Sequence, residues 1–248
     1  MRDGGRPTIV GEERQRQEAG ASPSRTHHTP RGAQYVGQGV TPTFARLYPR
    51  ISAYADAHGS REHRRELLAG ARGSVVEIGA GIGTNFRHYP AEVEQVFAVE
   101  PEPRLRSLAV RAASTARVPV EVRPGRAERL PLDDASVDVA VASLVLCTIA
   151  DVPAALAEAR RALKPTGELR FYEHVRAQEP HTYRRQRILN PLWRLLGGGC
   201  NVTRDTEAAL RTAGFTIETV RRFDFYPGGR PTPASPSIIG TARPTGDG

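Results

Sequence analysis

Three glycines, each separated by one residue, follow a short apolar segment: Gly79, Gly81 and Gly83, with Ala80 in the same turn. Glycine has no Cβ and adopts positive φ readily, so the backbone of such a loop can approach a ligand closely. In open α/β sheets, ligands bind beyond the carboxyl ends of the strands. A strand over residues 74–78 followed by this loop therefore predicts a ligand site. A tight strand-to-helix turn without a ligand is the alternative.

The glycine spacing and an acidic residue favour one ligand over another. The dinucleotide fingerprint is G-x-G-x-x-G, but here the third glycine comes one place early and Thr84 occupies the last fingerprint position. A carboxylate at Glu77 would repel a pyrophosphate and attract the ammonium of a methionine moiety, directly or through water. The loop therefore favours S-adenosylmethionine over NAD.

Two later segments favour a bound nucleoside. Glu100, followed by Pro101, ends the apolar run 96–99 and would accept hydrogen bonds from both ribose hydroxyls. Ala127 and Glu128 follow the third predicted strand, where a loop borders an adenine, and Glu128 is the candidate partner of the exocyclic amine. For Glu128 an ordinary charged surface loop is an equal alternative.

The composition excludes several function classes. The net charge is +8, but Lys164 is the only lysine and the arginines are scattered without interleaved aromatic residues, so we expect no nucleic-acid partner. Charge alone would favour an RNA-binding protein. No apolar run approaches the roughly 20 residues of a membrane span. Cys147 and Cys200 match neither a disulfide framework nor a zinc spacing, which predicts no metal and a reducing, cytoplasmic location. No obligate protein partner is inferred.

The elements that would position these residues alternate along the chain. Residues 1–40 are poor in apolar anchors and predict a disordered tail, and residues 41–248 predict one domain. Helical apolar spacing begins at Phe44. Further helices are predicted over 60–69, from 84–88, over 103–116, from Asp151, and over 187–196 and 205–213. Strands are predicted over 74–78, 95–100, 118–122, 137–146, 168–174, 216–223 and 237–242. This alternation predicts βαβ units and a parallel sheet.

Several motifs together resemble the class I S-adenosylmethionine-dependent methyltransferases. They are the glycine loop, the acid after strand two, the Ala-Glu-x-Leu-Pro loop, the segment 132–138, and Leu-Lys-Pro-Thr-Gly over 163–167, where Thr166 replaces the usual second glycine. The resemblance covers about residues 60–175. It implies a Rossmann-like, doubly wound, mostly parallel seven-stranded sheet with an antiparallel last strand and helices on both faces. It also implies cofactor contacts from the loop residues, Glu77, Glu100-Pro101, Ala127-Glu128 and Ser143.

Three further segments, 143–148, 171–175 and 199–206, resemble the branch that includes the alkyl-thiol methyltransferases. This resemblance implies a small hydrophobic thiol as the methyl acceptor. The chain departs from the branch at Ser237, where the branch tends to keep a histidine, and in its polar N-terminal tail. A lipid, quinone-like or natural-product acceptor, and a non-catalytic cofactor-binding protein, are the alternatives.

The catalytic candidate is His174, at the end of the fifth predicted strand. Its imidazole would serve as a base, or it would only cap the strand. Glu173 would orient His174 or point to the other face of the sheet. The predicted substrate pocket consists of Leu146, Cys147, Trp193 and Cys200. Cys147 is expected to be a small buried hydrophobe rather than a nucleophile.

Overall fold

The computed structural model describes Met1 and residues 40–246, so most of the predicted disordered tail lies outside the described residues. The division of the chain at residue 40 stays a prediction. No helix among residues 40–246 is long and apolar enough to cross a membrane.

Seven strands form one sheet in the order β3-β2-β1-β4-β5-β7-β6. All neighbouring pairs from β3 to β5 are parallel, and β7 is antiparallel to both β5 and β6. The predicted Rossmann-like sheet with an antiparallel last strand is therefore confirmed. The strands are β1 Gly73–Ile78, β2 Val93–Val99, β3 Val120–Arg123, β4 Val137–Ser143, β5 Leu163–His174, β6 Phe215–Asp224 and β7 Pro236–Pro244.

Helices cover both faces of the sheet because side chains of successive strand residues alternate between the faces. On one face, Val76 and Ile78 belong to a core with Leu156 of α4 and Leu210 of α6. On the other face, Val75 belongs to a core that includes residues of α2 and α3. The helices are α1 Pro42–Ala55, α2 Arg61–Leu68, α3 Pro103–Ala113, α4 Val152–Ala162, α5 Pro180–Leu196 and α6 Thr206–Thr212.

The helix expected to open over residues 84–88 is reduced to a 3₁₀ turn, Phe86–His88. Pro90 explains this difference, because a proline disfavours helical backbone in the residue before it. Tyr89 accordingly adopts φ −61° and ψ 131°. The predicted cap of α4 is confirmed, since the Asp151 side chain accepts a hydrogen bond from the Ala154 amide at 3.0 Å.

Helix α1 is joined to α2 by a kinked turn, Asp56–Ser60, in which Gly59 has φ 111°. The turn brings α1 to the edge where β1, β2, β4 and β5 end. Residues of α1, including Tyr48 and Ile51, line a cavity at this edge together with the glycine loop.

Candidate functional site

A cavity of about 500 Å³ lies beyond the carboxyl ends of the central strands. It brings together residues from most of the predicted site segments, although these are up to 121 positions apart in the sequence (Gly79 to Cys200). The predicted residues that line it are Gly79, Gly81, Glu100, Pro101, Ala127, Glu128, Ser143, Cys147, His174, Trp193 and Cys200. Glu77, Ala80, Gly83 and Leu146 are not among its lining residues.

The glycine loop turns sharply because its glycines have positive φ. Gly81 has φ 58°, and a Cβ there would lie 3.2 Å from Cε1 of Tyr48. Gly83 has a different role: a Cβ at this position would lie 2.5 Å from Cε2 of Phe86, inside the packed core. We therefore infer that Gly81 keeps the cavity open, whereas Gly83 allows close packing beneath it.

Glu100, at the end of β2, is a buried carboxylate at the cavity wall. One oxygen accepts a hydrogen bond from the Gly81 amide at 2.8 Å, and the other accepts from the Glu102 amide at 2.9 Å. Burial raises the pKa of Glu100 to about 7, although these two amides lower it. Each carboxylate oxygen can accept more than one hydrogen bond, so Glu100 has acceptor capacity left for ligand hydroxyls.

Glu100 makes the stability of the ligand-free protein depend on pH. Its folded-state pKa of about 7 exceeds the ordinary value of 4.5, so the folded chain holds a proton that the unfolded chain loses between these values. We expect the Glu100 contribution to the free energy of unfolding to fall by up to about 3 kcal/mol as pH rises from 4.5 to 7. Urea unfolding of wild type and Glu100→Gln at several pH values measures this; a difference that does not change with pH would contradict it.

Glu77 is buried beneath the loop. Its two oxygens accept hydrogen bonds from the side-chain amide of Asn85 at 2.9 Å and from the Tyr89 hydroxyl at 2.7 Å. Burial raises the pKa of Glu77 to about 7, and the two hydrogen bonds lower it. The sequence-based expectation was a contact with the methionine ammonium. Because both oxygens are engaged away from the cavity lining, we instead expect Glu77 to support the loop.

Arg64 of α2 is a charged residue of the site that the sequence did not single out. Its buried guanidinium donates to Asp56 at 3.2 Å, to Asn85 at 3.0 Å and to Ser143 Oγ at 3.3 Å, and it lines the cavity near the glycine loop. A guanidinium has five N–H donors, so Arg64 can also bind a ligand carboxylate. One arginine among many scattered along the chain gave no sequence signal.

At the opposite end, Glu128 lines the cavity and accepts weak hydrogen bonds from Arg126 at 3.3 and 3.4 Å. The cavity wall thus contains the Arg64 guanidinium near the glycine loop, then the buried Glu100 carboxylate, and then the loop of Ala127. An amino-acid nucleoside such as S-adenosylmethionine fits this donor set, with its carboxylate, ribose and base in that order.

The loop after β4 is held by Glu173, whose carboxylate is fully buried. It accepts hydrogen bonds from the backbone amides of Val145 at 3.0 Å, Leu146 at 2.9 Å and Cys147 at 3.1 Å. Burial raises the pKa of Glu173, and the amides lower it. The two carboxylate oxygens thus serve the loop backbone, and Leu146 is buried in the core.

Two cysteines, distant in sequence, converge on His174. Its Nδ1 lies 3.5 Å from Sγ of Cys200 and 3.9 Å from Sγ of Cys147. A hydrogen bond from Cys147 and the charge of His174 lower the pKa of the Cys200 thiol, while that same bond and burial raise the pKa of Cys147. Burial lowers the pKa of His174, but the Cys200 and Glu173 charges outweigh it, so the net direction is upward. Trp193 packs against the cluster formed by Cys147, Cys200, Val202 and Ala234.

The chain is similar to known methyltransferases. A family profile described as a methyltransferase domain matches residues 76–171. Human thiol S-methyltransferase TMT1B is 35% identical over 213 residues, covering 79% of this chain and 85% of the relative. Human thiol S-methyltransferase TMT1A is 36% identical over 153 residues, covering 58% and 60%. The structure of a SAM-dependent methyltransferase from Thermotoga maritima superposes with a TM-score of 0.61 at 22% identity, covering 80% of this chain and 97% of that one.

Proposed function

This chain belongs to the class I S-adenosylmethionine-dependent methyltransferases, in the branch of the thiol methyltransferases, and we propose that its acceptor is a small hydrophobic thiol. The enzyme transfers a methyl group from S-adenosylmethionine. Methyl transfer is the reaction of this family, and the identity of the acceptor is the part that we propose.

The observation that carries the thiol proposal is the likeness to TMT1B across 85% of that relative's length. The acceptor end of the cavity supports it, because its walls are largely apolar and include Phe44, Ile51, Trp193 and Leu196. An apolar pocket desolvates a hydrophobic acceptor and keeps water from competing for the methyl group. His174 and the two cysteines provide the polar surface there.

We propose that the chain holds the cofactor through its backbone and three charged side chains. The loop backbone at Gly79 and Gly81 would border the methionine portion, and Arg64 would bind its carboxylate. Glu100 would accept hydrogen bonds from the ribose hydroxyls. Ala127 and Glu128 would border the adenine, with Pro101 and Ser143 completing the walls.

When bound, S-adenosylmethionine supplies an electrophilic methyl group on a sulfonium. The work of this chain is then to align the acceptor with that group and to exclude water, which in well-oriented systems lowers a barrier by about 7–11 kcal/mol. His174, at the acceptor end of the cavity, would assist the loss of the acceptor proton. A thiol needs little help, because its reference pKa of about 8.5 is far below that of an alcohol.

The proposed ribose contact predicts a loss of cofactor affinity in Glu100→Ala. We expect a loss of about 1.5–3 kcal/mol, the range for hydrogen bonds to a charged group. Isothermal titration calorimetry with S-adenosylmethionine measures it. Glu121→Ala, which removes an exposed carboxylate on β3, is the matched control and should bind as wild type does. Equal affinities for wild type and Glu100→Ala would exclude the contact.

The acceptor is tested by methyl transfer from labelled S-adenosylmethionine to a panel of small apolar thiols, with alcohols, amines and phenols of matched carbon skeleton. We expect turnover of thiols alone, and a loss of that turnover in His174→Ala. Turnover confined to phenols, amines or alcohols would refute the thiol assignment. Cofactor binding with no turnover of any thiol would refute it as well.

A further inference from the structure

Cys147, His174 and Cys200 form a cluster of three metal-ligand side chains at the acceptor end of the cavity. Their two sulfurs and the imidazole nitrogen lie within 4.8 Å of one another, and all three residues line the cavity. Both thiols are buried and unpaired by a disulfide. No spacing in the sequence marks this cluster, since its members come from the β4 loop, the end of β5 and the turn after α5.

The two separations between the imidazole nitrogen and the sulfurs are close to those of donors that share one zinc ion. Zinc bonds of about 2.3 Å to sulfur and about 2.05 Å to nitrogen in a tetrahedral site place the two donors about 3.6 Å apart. The observed distances from Nδ1 of His174 are 3.5 Å to Cys200 and 3.9 Å to Cys147. Little movement would therefore bring the three donors onto a common ion.

The ligands are held on a connected scaffold. Cys147 is fixed on one side by its amide, bound to Glu173 at 3.1 Å. On the other side its carbonyl accepts a hydrogen bond from the Asn201 amide at 2.8 Å, which ties the loop of Cys147 to that of Cys200. His174 ends β5, where it is paired with Ser237 of β7. Preorganised donors of this kind are what a metal site requires.

We propose that Cys147, His174 and Cys200 bind one zinc ion whose fourth position opens to the cavity and takes the sulfur of the acceptor. Three protein ligands with an open fourth position are the arrangement of catalytic zinc, and two cysteines with one histidine are a known ligand set for it. Two thiolates and a neutral imidazole leave the bound ion without net charge. The role of the zinc ion rests on the proposed thiol acceptor, whereas binding of the ion does not.

On zinc binding, the two cysteine thiols release their protons to solvent. The acceptor thiol displaces a zinc-bound water and releases its proton to solvent, because a thiol that coordinates zinc is deprotonated. An electron pair of the acceptor sulfur forms the new carbon–sulfur bond as the methyl–sulfonium bond breaks, and the electrons of that bond stay on the departing sulfur. The methylated product is a neutral thioether, a weaker ligand than a thiolate, and water replaces it.

In this arrangement His174 is a ligand and not a base, because Nδ1 faces the two sulfurs. The Arg204 guanidinium donates to the carbonyl oxygens of Leu146 and Ile149, the latter at 2.8 Å. Its positive charge beside the Cys147 loop would offset the negative charge that a bound acceptor thiolate brings.

The test is metal content and spectroscopy of the full chain. The protein is loaded with Zn²⁺, dialysed against metal-free buffer and measured by elemental analysis, and a parallel sample is loaded with Co²⁺. We expect one zinc per chain, and tetrahedral cobalt absorption with a thiolate-to-cobalt charge-transfer band. Zinc should also protect both cysteines, the only two in the chain, from a thiol reagent. This protection is measured on the wild type and does not depend on any variant folding.

Variants identify the ligands. Cys147→Ser, Cys200→Ser and His174→Ala should each weaken zinc binding at least about 100-fold, above the 10–100-fold cost of losing a group that only supports a ligand. His181→Ala is the control, because His181 is exposed at the start of α5, and it should retain one zinc. No zinc in the wild type, or equal zinc in all four variants, would overturn the proposal. A Cys147–Cys200 disulfide in protein purified under reducing conditions would overturn it too.

Acceptor binding to the ion is observed apart from turnover. Adding an apolar thiol to the cobalt-loaded protein should intensify the charge-transfer band, and the alcohol of the same skeleton should leave it unchanged. Thiol methylation that persists at full rate in zinc-free protein would overturn the role of the ion and leave the thiol function standing. One bound zinc without methylation of any thiol would overturn the thiol function and leave the metal site standing.

Discussion

Replacing Gly81 with valine should weaken S-adenosylmethionine binding at least about 100-fold, which corresponds to about 2.7 kcal/mol. Three effects combine. A residue with a Cβ is strained at φ 58°, and a branched side chain would extend from the loop toward Tyr48, whose ring lies 3.2 Å from the Cβ position at the cavity wall. The amide of Gly81 would also be displaced from Glu100, with which it forms a 2.8 Å hydrogen bond.

Gly229→Val is the matched control for this substitution. Gly229 also has positive φ, 76°, but a Cβ there would meet no atom within 4 Å, and the residue is outside the cavity lining. The Gly229→Val protein should lose some stability and keep its affinity for the cofactor. Calorimetric titration of both variants separates backbone strain from obstruction of the site. An unchanged affinity in Gly81→Val would show that the loop is not the cofactor site.

Replacing Glu173 with alanine should lower the free energy of unfolding by about 3–4 kcal/mol. The substitution leaves three backbone amides, of Val145, Leu146 and Cys147, without their acceptor. Hydrogen bonds to a charged group contribute about 1.5–3 kcal/mol each, and relief of the cost of burying the carboxylate offsets part of their sum. Urea unfolding at neutral pH measures the change.

Two variants make this result specific. Glu158→Ala removes a partly exposed carboxylate that accepts from one backbone amide, that of Leu130 at 2.8 Å, and from the Arg161 guanidinium. It should cost about 1.5–2 kcal/mol, less than Glu173→Ala, because one backbone amide instead of three loses its acceptor. Glu173→Gln should fall between Glu173→Ala and wild type, because its remaining oxygen can accept from Val145 and Leu146 while its amide faces the Cys147 N–H. A Glu173→Ala protein as stable as wild type would show that the loop after β4 does not depend on this carboxylate.

The cofactor half of the site was accessible from sequence because its signals are local. Gly79 and Glu100 each follow a strand directly, Gly81 lies in the same loop as Gly79, and the carboxyl ends of parallel strands meet at one edge of a sheet. The cavity lining contains all three. The exception is Glu77: its position in the motif is visible in the sequence, but the partners of its carboxylate, Asn85 and Tyr89, depend on how the chain turns after the loop.

The acceptor half depends on contacts between distant segments. The sequence suggested His174, Cys147 and Cys200 singly, and their spacing argued against a metal site. Whether three such side chains meet depends on where the turn after α5 returns to the sheet, and that is set by packing and by hydrogen bonds such as Asn201 to Cys147. Arg64 could not be identified from the sequence either. Its burial and its partners Asp56, Asn85 and Ser143 distinguish it from the other arginines only in the folded chain.

The sequence by itself therefore determined the order of strands and helices, the parallel sheet, the glycine loop and the cofactor, since periodicity, capping residues and short motifs act within a few neighbouring positions. Only the tertiary structure decided which face Glu77 serves, that Glu173 holds the loop of Cys147, and that two cysteines and a histidine converge on one point. Those outcomes arise from long-range packing, which brings Cys147, His174 and Cys200 together although no local sequence pattern relates them.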